Sequence, residues 1–394
     1  MQQLKENLQT VWKAQGFGEM TPIQTAAFDK ISQGESVFIQ APTGSGKTLA
    51  YLLPLLNNIK ANQTLQCLIF APSQELVVQI HDVIEAWTRY QSITVQMLAG
   101  GANTKRQIER LKDKPEIIVA TPGRFIEINQ QSRKLKLHLI ESVIFDEADY
   151  LFSSEHQKMM STIISKFMRD VQKIWVSATF DDHFKEYLSK VQPQVEHLKI
   201  EETSNQVEHI IIPTPNRQKV DVLRRLAHVG GMKAIIFCDQ IHEIDTIEQK
   251  LLYHHIPVVS LHSQRDKFER KMAIQAFSED KVTYLLTTDV ASRGIDIDDI
   301  PYVIHFNMAA NSENYTHRSG RTGRMNKSGT VISLMNDQEQ RNFMQFMKDS
   351  MYTFTQKIVK NNQIIYNDLS KSEDNLSINH KRNQKQKIHK KRKK

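Results

Sequence analysis

Short, apolar, β-rich runs recur along this chain, and a longer stretch of helical period separates most neighbours. Few folds are open to such a pattern. Strands that alternate with helices pair side by side in parallel, and the helices cover both faces of the sheet. The first strand candidates are Val37–Gln40, Cys67–Ala71, Thr94–Leu98, Ile117–Ala120, Ser142–Phe145 and Ile174–Ser177. A second series follows at Glu208–Pro213, Ala234–Cys238, Val258–Leu261, Thr283–Thr287, Tyr302–Phe306 and Thr330–Leu334. Helical periods occupy Gln74–Trp87, Ile241–His254 and Phe268–Phe277 between them. Ala234-Ile235-Ile236-Phe237 is apolar at every position, as a strand buried on both faces requires. About a dozen strands are too many for one tidy sheet of this type. The polar segment Glu201-Glu202-Thr203-Ser204-Asn205-Gln206 breaks the pattern near the middle. The expectation is an α/β protein with a first domain over residues 1–200, a linker over 201–206 and a second domain over 207–360. A disordered tail is expected over 361–394, and no short-period repeat is visible.

Composition narrows the class. The 394 residues are 40% hydrophobic and 24% charged, which excludes a chain disordered throughout. No apolar stretch is long enough to span a bilayer, and the start, Met1-Gln2-Gln3-Leu4-Lys5-Glu6-Asn7, lacks the apolar core of a secretion signal. Cys67 and Cys238 are too few for a disulfide framework and have no metal-ligand spacing. A cytoplasmic location with reduced thiols is the expectation. The formal charge of +8 is unevenly placed, with nine Lys or Arg and no acid between His380 and Lys394. Without them the rest of the chain is close to neutral. Such a block is solvated and suits a polyanion. As a non-specific nucleic-acid anchor it would steepen the salt dependence of binding; as a solubility tail it would change neither affinity nor salt dependence. An anionic membrane fits less well, because nothing apolar sits beside the charges.

Chemistry enters after the first strand. Ala41-Pro42-Thr43-Gly44-Ser45-Gly46-Lys47-Thr48 runs from a strand into a helical pattern, nearly the general phosphate-binding loop, with Ala41 at the position of its first glycine. Gly44 and Gly46 let the backbone curl so that N–H groups converge on phosphate oxygens at a helix start. Lys47 adds charge at the β and γ phosphates, and Thr48 can ligate Mg²⁺. Such a loop needs an acid at the end of another strand. Ser142-Val143-Ile144-Phe145 leads into Asp146-Glu147-Ala148-Asp149, which places Asp146 to hold Mg²⁺, largely through water, and Glu147 to deprotonate the attacking water.

Asp-Glu-Ala-Asp names the DEAD-box family of RNA-dependent ATPases, and the chain resembles a member over about residues 16–350. Further family motifs occur in order. Gly16-Phe17 and Thr21-Pro22-Ile23-Gln24 resemble the adenine-reading Q motif, with Gln24 reading the base edge. Ala71-Pro72-Ser73-Gln74-Glu75-Leu76, Gly100-Gly101 and Thr121-Pro122-Gly123-Arg124 resemble the RNA-backbone motifs. Ser177-Ala178-Thr179 resembles the motif that couples hydrolysis to strand separation. Thr287-Thr288-Asp289 with Arg293-Gly294-Ile295-Asp296 follows the fifth motif, and His317-Arg318-Ser319-Gly320-Arg321-Thr322-Gly323-Arg324 the sixth.

The resemblance implies two tandem RecA-like domains, ATP and Mg²⁺ as cofactors, and RNA held mainly by its backbone. Thr43, Gly44, Ser45, Gly46, Lys47 and Thr48 would bind the nucleotide, with Gln24 on the base and Asp296 on the ribose. Asp149, Ser177, Thr179, His317 and Arg318 would couple hydrolysis to RNA. Pro72, Gln74, Gly100, Gly101, Thr121, Arg124, Thr288 and Arg293 would meet RNA. Arg321 and Arg324 are three apart, which on a helix puts both on one face. No phosphate loop is recognisable in their own domain, so they are read as arginine fingers that reach the γ-phosphate when the domains close. The activity implied is local, non-processive unwinding or remodelling of RNA duplexes and RNA–protein complexes, in ribosome assembly or RNA turnover, with ribosomal or RNA-degradation proteins as possible partners. An ATP-gated RNA clamp and a DNA-directed motor are the alternatives.

The chain also departs from the pattern. Gln74 stands where the family motif has Arg, Met20 where the Q motif has Pro, and Lys267 where Gln is usual. The family's upstream aromatic would precede residue 1. Trp12 and Trp87, each in a helical pattern, are expected to pack helices rather than stack bases.

Overall fold

The computed structural model describes residues 3–42, 44–200, 207–292, 300–323, 328–348, 350 and 352–366. Thr43, the linker 201–206, Arg293, Asp296, Arg324 and the basic tail beyond 366 lie outside the described residues. Two compact units result, one built on residues 3–200 and the other on residues from 207 onwards.

The first unit holds strands β1 (Val37–Gln40), β2 (Cys67–Phe70), β3 (Val95–Leu98), β4 (Ile117–Ala120), β5 (Ser142–Asp146), β6 (Gln172–Ser177) and β7 (Glu196–Lys199). They form one parallel sheet in the order β3-β4-β2-β5-β6-β1-β7. Alternate strand residues feed two cores. Val37, Ile39, Ile69 and Ile144 face one helical layer, and Phe38, Phe70, Phe145 and Trp175 face the other. That is why these runs are apolar at every position. Trp12 and Trp87 are buried and meet edge to face at 6.1 Å, so both pack helices.

The second unit holds β8 (Val207–Pro213), β9 (Ala234–Phe237), β10 (Val258–Leu261), β11 (Tyr284–Thr287), β12 (Tyr302–His305), β13 (Gly329–Met335), β14 (Phe354–Lys360) and β15 (Gln363–Tyr366), in the order β10-β11-β9-β12-β13-β8-β14-β15. All its pairings are parallel except the hairpin β14–β15. Numbered from its own first strand, the second sheet repeats the order of the first through its seventh strand. The two units are topological repeats.

The strand pattern missed β7, β14 and β15. Glu196-His197-Leu198-Lys199 is largely exposed at a sheet edge, where polar side chains cost nothing and the apolar signal vanishes. The expected end at 360 also needs correction, because Asn361 and Asn362 (φ 50° and 58°) turn the chain back into β15. Paired asparagines suit the left-handed backbone of a two-residue hairpin turn.

Candidate active site

The sheet order sorts the chemistry of the first unit. β5, β6 and β1 are neighbours, and the segments leaving their carboxyl ends carry the carboxylates, Ser177-Ala178-Thr179 and the phosphate loop. β3, β4 and β2 are neighbours too, and theirs carry Gly100-Gly101, Thr121–Arg124 and Pro72–Gln74. Residues far apart in sequence thus meet on two halves of one sheet edge, the usual place for ligands in open parallel sheets.

The helix Lys47–Asn58 starts at Gly46, whose φ of 88° is left-handed. A Cβ there would also come within 2.6 Å of Gln24 Nε2, so two constraints require glycine. Gln24 is buried and clasps this loop: its Nε2 donates to the Gly46 carbonyl at 3.3 Å, and its Oε1 accepts the Thr21 N–H at 2.9 Å. The Thr21 hydroxyl donates to the Ser45 carbonyl at 3.0 Å. The Lys47 ammonium donates to the carbonyls of Ala41 and Pro42, both at 2.8 Å, so its charge points into the loop.

Asp146 ends β5 in a buried position. Its Oδ2 accepts the Tyr51 hydroxyl at 2.8 Å and its Oδ1 the Glu147 N–H at 3.0 Å. Burial pushes its carboxyl up to about 6, against the pull of the Tyr51 hydrogen bond and the Lys47 charge. Glu147 is held at φ 53°, a left-handed conformation unfavourable for a side chain of this kind. Its Oε2 is buried and has no hydrogen-bond partner among the described residues. An orphaned carboxylate oxygen on a strained backbone marks a site kept for something other than stability. Asp149 accepts a hydrogen bond from the Thr179 hydroxyl, and the Thr179 N–H donates to Ser177 Oγ at 3.0 Å, which joins the loops after β5 and β6.

These groups fit a magnesium nucleotide. Thr48 lies in the first turn of the helix that leaves the loop, Asp146 is a buried carboxylate that bonds no cation among the described residues, and Gly46 opens that helix with a left-handed backbone. The sequence reading missed Tyr51. It lies four residues beyond Lys47, one helical turn along the same face, which was the available signal.

On the other half of the edge, the Gln74 amide lies over Gly100, where a Cβ would fall 2.3 Å from Nε2. Arg124 donates from Nη1 to the Ala102 carbonyl at 2.9 Å and pairs through Nε with Glu127 at 2.9 Å. Thr121 precedes the helix Pro122–Gln131, and its N–H donates to Leu98 O at 3.0 Å. Three predicted backbone-contact segments are therefore tied to one another.

In the second unit Arg318 is a buried hub. Nε and Nη2 donate to Asp289 at 2.6 and 2.7 Å, Nη2 also to Asp239 at 3.1 Å, and Nη1 to the Asn307 carbonyl at 2.9 Å. Burial disfavours its charge, and the two carboxylates outweigh that, raising its pKa. Asp239 and Asn307 were not foreseen. They leave β9 and β12, and β9 lies between β12 and β11, from which Thr288 and Asp289 emerge. The helix Ser312–Ser319 carries His317 and stops before Arg321, with Gly320 as its cap. The expectation that Arg321 shares a helix face with Arg324 is therefore corrected: the glycine-containing segment ends the helix first. Lys219 starts the helix after β8 as Lys47 does after β1, but its ammonium is bound by the Phe306 carbonyl at 2.9 Å and by Glu339 at 3.1 Å. No helix among the described residues is long and apolar enough to cross a membrane.

Comparison with known proteins agrees with this geometry. Residues 21–188 match the DEAD/DEAH box helicase family model, and residues 218–326 match the helicase conserved C-terminal domain. The chain is 40% identical over 353 residues to the DEAD-box ATP-dependent RNA helicase CshC of Bacillus cereus, covering 89% of this chain and 90% of that one. It is 40% identical over 345 residues to the probable ATP-dependent RNA helicase YfmL of Bacillus subtilis, covering 86% and 91%. Among solved structures, S. cerevisiae Dbp5 bound to RNA and ADP BeF3 superposes with a TM-score of 0.81 at 25% identity, covering 90% of this chain and 93% of that one. Two RecA-like sheets of one topology, a phosphate loop beside buried carboxylates and these matches lead to one conclusion: the chain belongs to the DEAD-box family of ATP-dependent RNA helicases, enzymes whose ATP hydrolysis depends on RNA.

Proposed function

We propose that this protein uses ATP hydrolysis and domain closure for local, non-processive unwinding of RNA duplexes or remodelling of RNA–protein complexes. The observation that carries the reading is Glu147, backbone-strained and with a buried, unpartnered oxygen, beside Asp146 and the phosphate loop. Glu147 takes the proton from the attacking water. Lys47 leaves the Ala41 and Pro42 carbonyls for the β and γ phosphates, and Gln24 reads the adenine edge from its place against Gly46. Thr48 and Asp146 would hold Mg²⁺, which neutralises phosphate charge when bound. Arg321, with Arg324, completes the site from the second domain, and Asp296 meets the ribose. The Asp149–Thr179 contact passes the state of the nucleotide to the RNA half of the edge, where Gln74, Gly100, Gly101 and Arg124 hold the backbone. Thr288 and Arg293 do so in the second domain, and the buried Arg318 hub, with His317, couples them to the nucleotide. RNA and ATP both favour the closed state, so each tightens the binding of the other. The basic tail adds non-specific RNA affinity, and ribosome assembly or RNA turnover in the cytoplasm suits a core of this size.

RNA-stimulated ATP turnover is the test. Lys47→Ala should abolish it, and Glu147→Gln should slow it by about 10²–10⁴-fold while still binding both ligands and releasing RNA slowly. Turnover of equal size with and without RNA would overturn the coupling. Strand release from a short duplex on ATP addition supports remodelling; ATP-stabilised binding without release supports a clamp instead.

A further inference from the structure

The chain outside its C-terminal tail is close to neutral, yet one face of the first unit is strongly basic. Residues 104–114 and 133–136 carry eight Lys or Arg against two acids, Glu109 and Asp113. Within this group Lys112 pairs with Glu109, and Lys134 Nζ donates to the Ile108 carbonyl at 3.0 Å. The other six cations make no side-chain ion pair or hydrogen bond among the described residues, and all six are exposed. The next acid, Glu116, is turned inward, and its carboxylate accepts the Gln63 N–H, the Thr94 N–H and the Thr94 hydroxyl, each at 2.8 Å.

Topology gives this patch a direction. The helix Thr104–Arg110 begins just past Gly100-Gly101, on the RNA half of the sheet edge, and the 3₁₀ turn Leu111–Asp113 continues it toward the start of β4. At about 1.5 Å per helical residue and 2.0 Å per 3₁₀ residue, the track is about 16 Å long. At its far end Lys114, Lys134 and Lys136 line a cleft of about 210 Å³ over an apolar floor that includes Leu65, Leu111 and Leu135. Unpaired cations gathered on one helix, the turn after it and the loop beside that turn, with no exposed aromatic among them, match a phosphate backbone better than a protein surface, whose interfaces favour aromatics and disfavour lysine.

We propose that this face is a second backbone track for RNA, which takes the strand as it continues past Gly100-Gly101. It rests on the RNA-dependent activity above and adds affinity for RNA longer than the core can hold. The test compares the full chain with an Arg110→Gln/Lys114→Gln/Lys136→Gln variant, three positions whose side chains make no bond among the described residues. Each is titrated with a short oligonucleotide that fills only the core track and with the same strand lengthened at either end. On the lengthened RNA the parent should lose affinity with salt more steeply, by about 2 in log–log slope for three phosphate contacts. That difference amounts to about sixteenfold between about 50 and 200 mM salt. On the short strand the two proteins should stimulate and bind alike, which also shows that the variant folds. Equal slopes on the lengthened strand overturn the proposal. If a polyglutamate probe then binds the parent and not the variant, the face belongs to an acidic protein. Failure of the short strand to stimulate the parent at all would instead overturn the underlying activity.

Discussion

Replacing Asp146 with asparagine should stabilise the first domain while it destroys turnover. Burial raises this carboxyl from 3.8 to about 6 in the folded domain. Between those values the folded domain keeps a proton that the unfolded chain has released, so stability falls as pH rises through the window. At about 1.36 kcal/mol per pH unit the deficit is about 3 kcal/mol, and it is fully present at pH 7. Asparagine has the same shape and no charge. It can still accept the Glu147 N–H, and the Tyr51 hydroxyl can accept from its amide. The chain's three tryptophans, Trp12, Trp87 and Trp175, all lie in the first unit, so their emission reports the unfolding of that unit alone. With a urea m-value of about 2–3 kcal/mol/M, the Asp146→Asn midpoint should rise by about 1 M at pH 7. The gain should close near pH 4, where the parent carboxyl is protonated as well. Equal midpoints at pH 7, or a gain that persists at pH 4, would refute the assignment of a buried charge whose partners do not offset its desolvation.

The second domain should show the opposite pH dependence. Burial lowers His209 from 6.5 to about 4, and its Nδ1 lies 2.7 Å from the Tyr315 hydroxyl. Stability is intact above pH 6.5 and falls by about 3 kcal/mol as acid takes the pH to 4, because only the unfolded chain binds the proton. Amide exchange in β8 and β13 should follow that slope in the parent and flatten in His209→Gln; an unchanged slope assigns the effect to other groups. Restoring the family arginine by Gln74→Arg should add one phosphate contact and steepen the salt dependence of single-strand RNA binding by about 0.7 in log–log slope. No change there would mean that this position orders Gly100-Gly101 rather than touching RNA.

Much of the site could be read from sequence because its determinants are local. Gly46 and Lys47 follow a strand and open a helix, so the phosphate cradle is written in consecutive residues. Asp146, Glu147 and Asp149 are likewise adjacent, at the end of a run whose apolar character already makes it a strand. Ten of the twelve strands found lie inside their sheets, where burial on both faces leaves a continuous apolar record. Exposure erases that record, as at Glu196–Lys199, and a turn of two asparagines concealed the hairpin into Gln363–Tyr366.

By itself, then, the sequence determined the alternating strands and helices, the two-part division and the chemistry of each short motif. All of these follow from neighbours along the chain. Only the tertiary structure decided that β3, β4 and β2 stand together and β5, β6 and β1 beside them, so that the phosphate-loop motif and the segments proposed to meet RNA share one edge. It alone revealed that the second sheet repeats the strand order of the first, with Lys219 locked to Glu339 where Lys47 faces a phosphate loop. Strand order, the Tyr51–Asp146 bond and the burial of Arg318 between Asp239 and Asp289 depend on contacts between residues tens of positions apart. Such contacts leave no periodicity in one chain, because packing selects them after the local elements have formed.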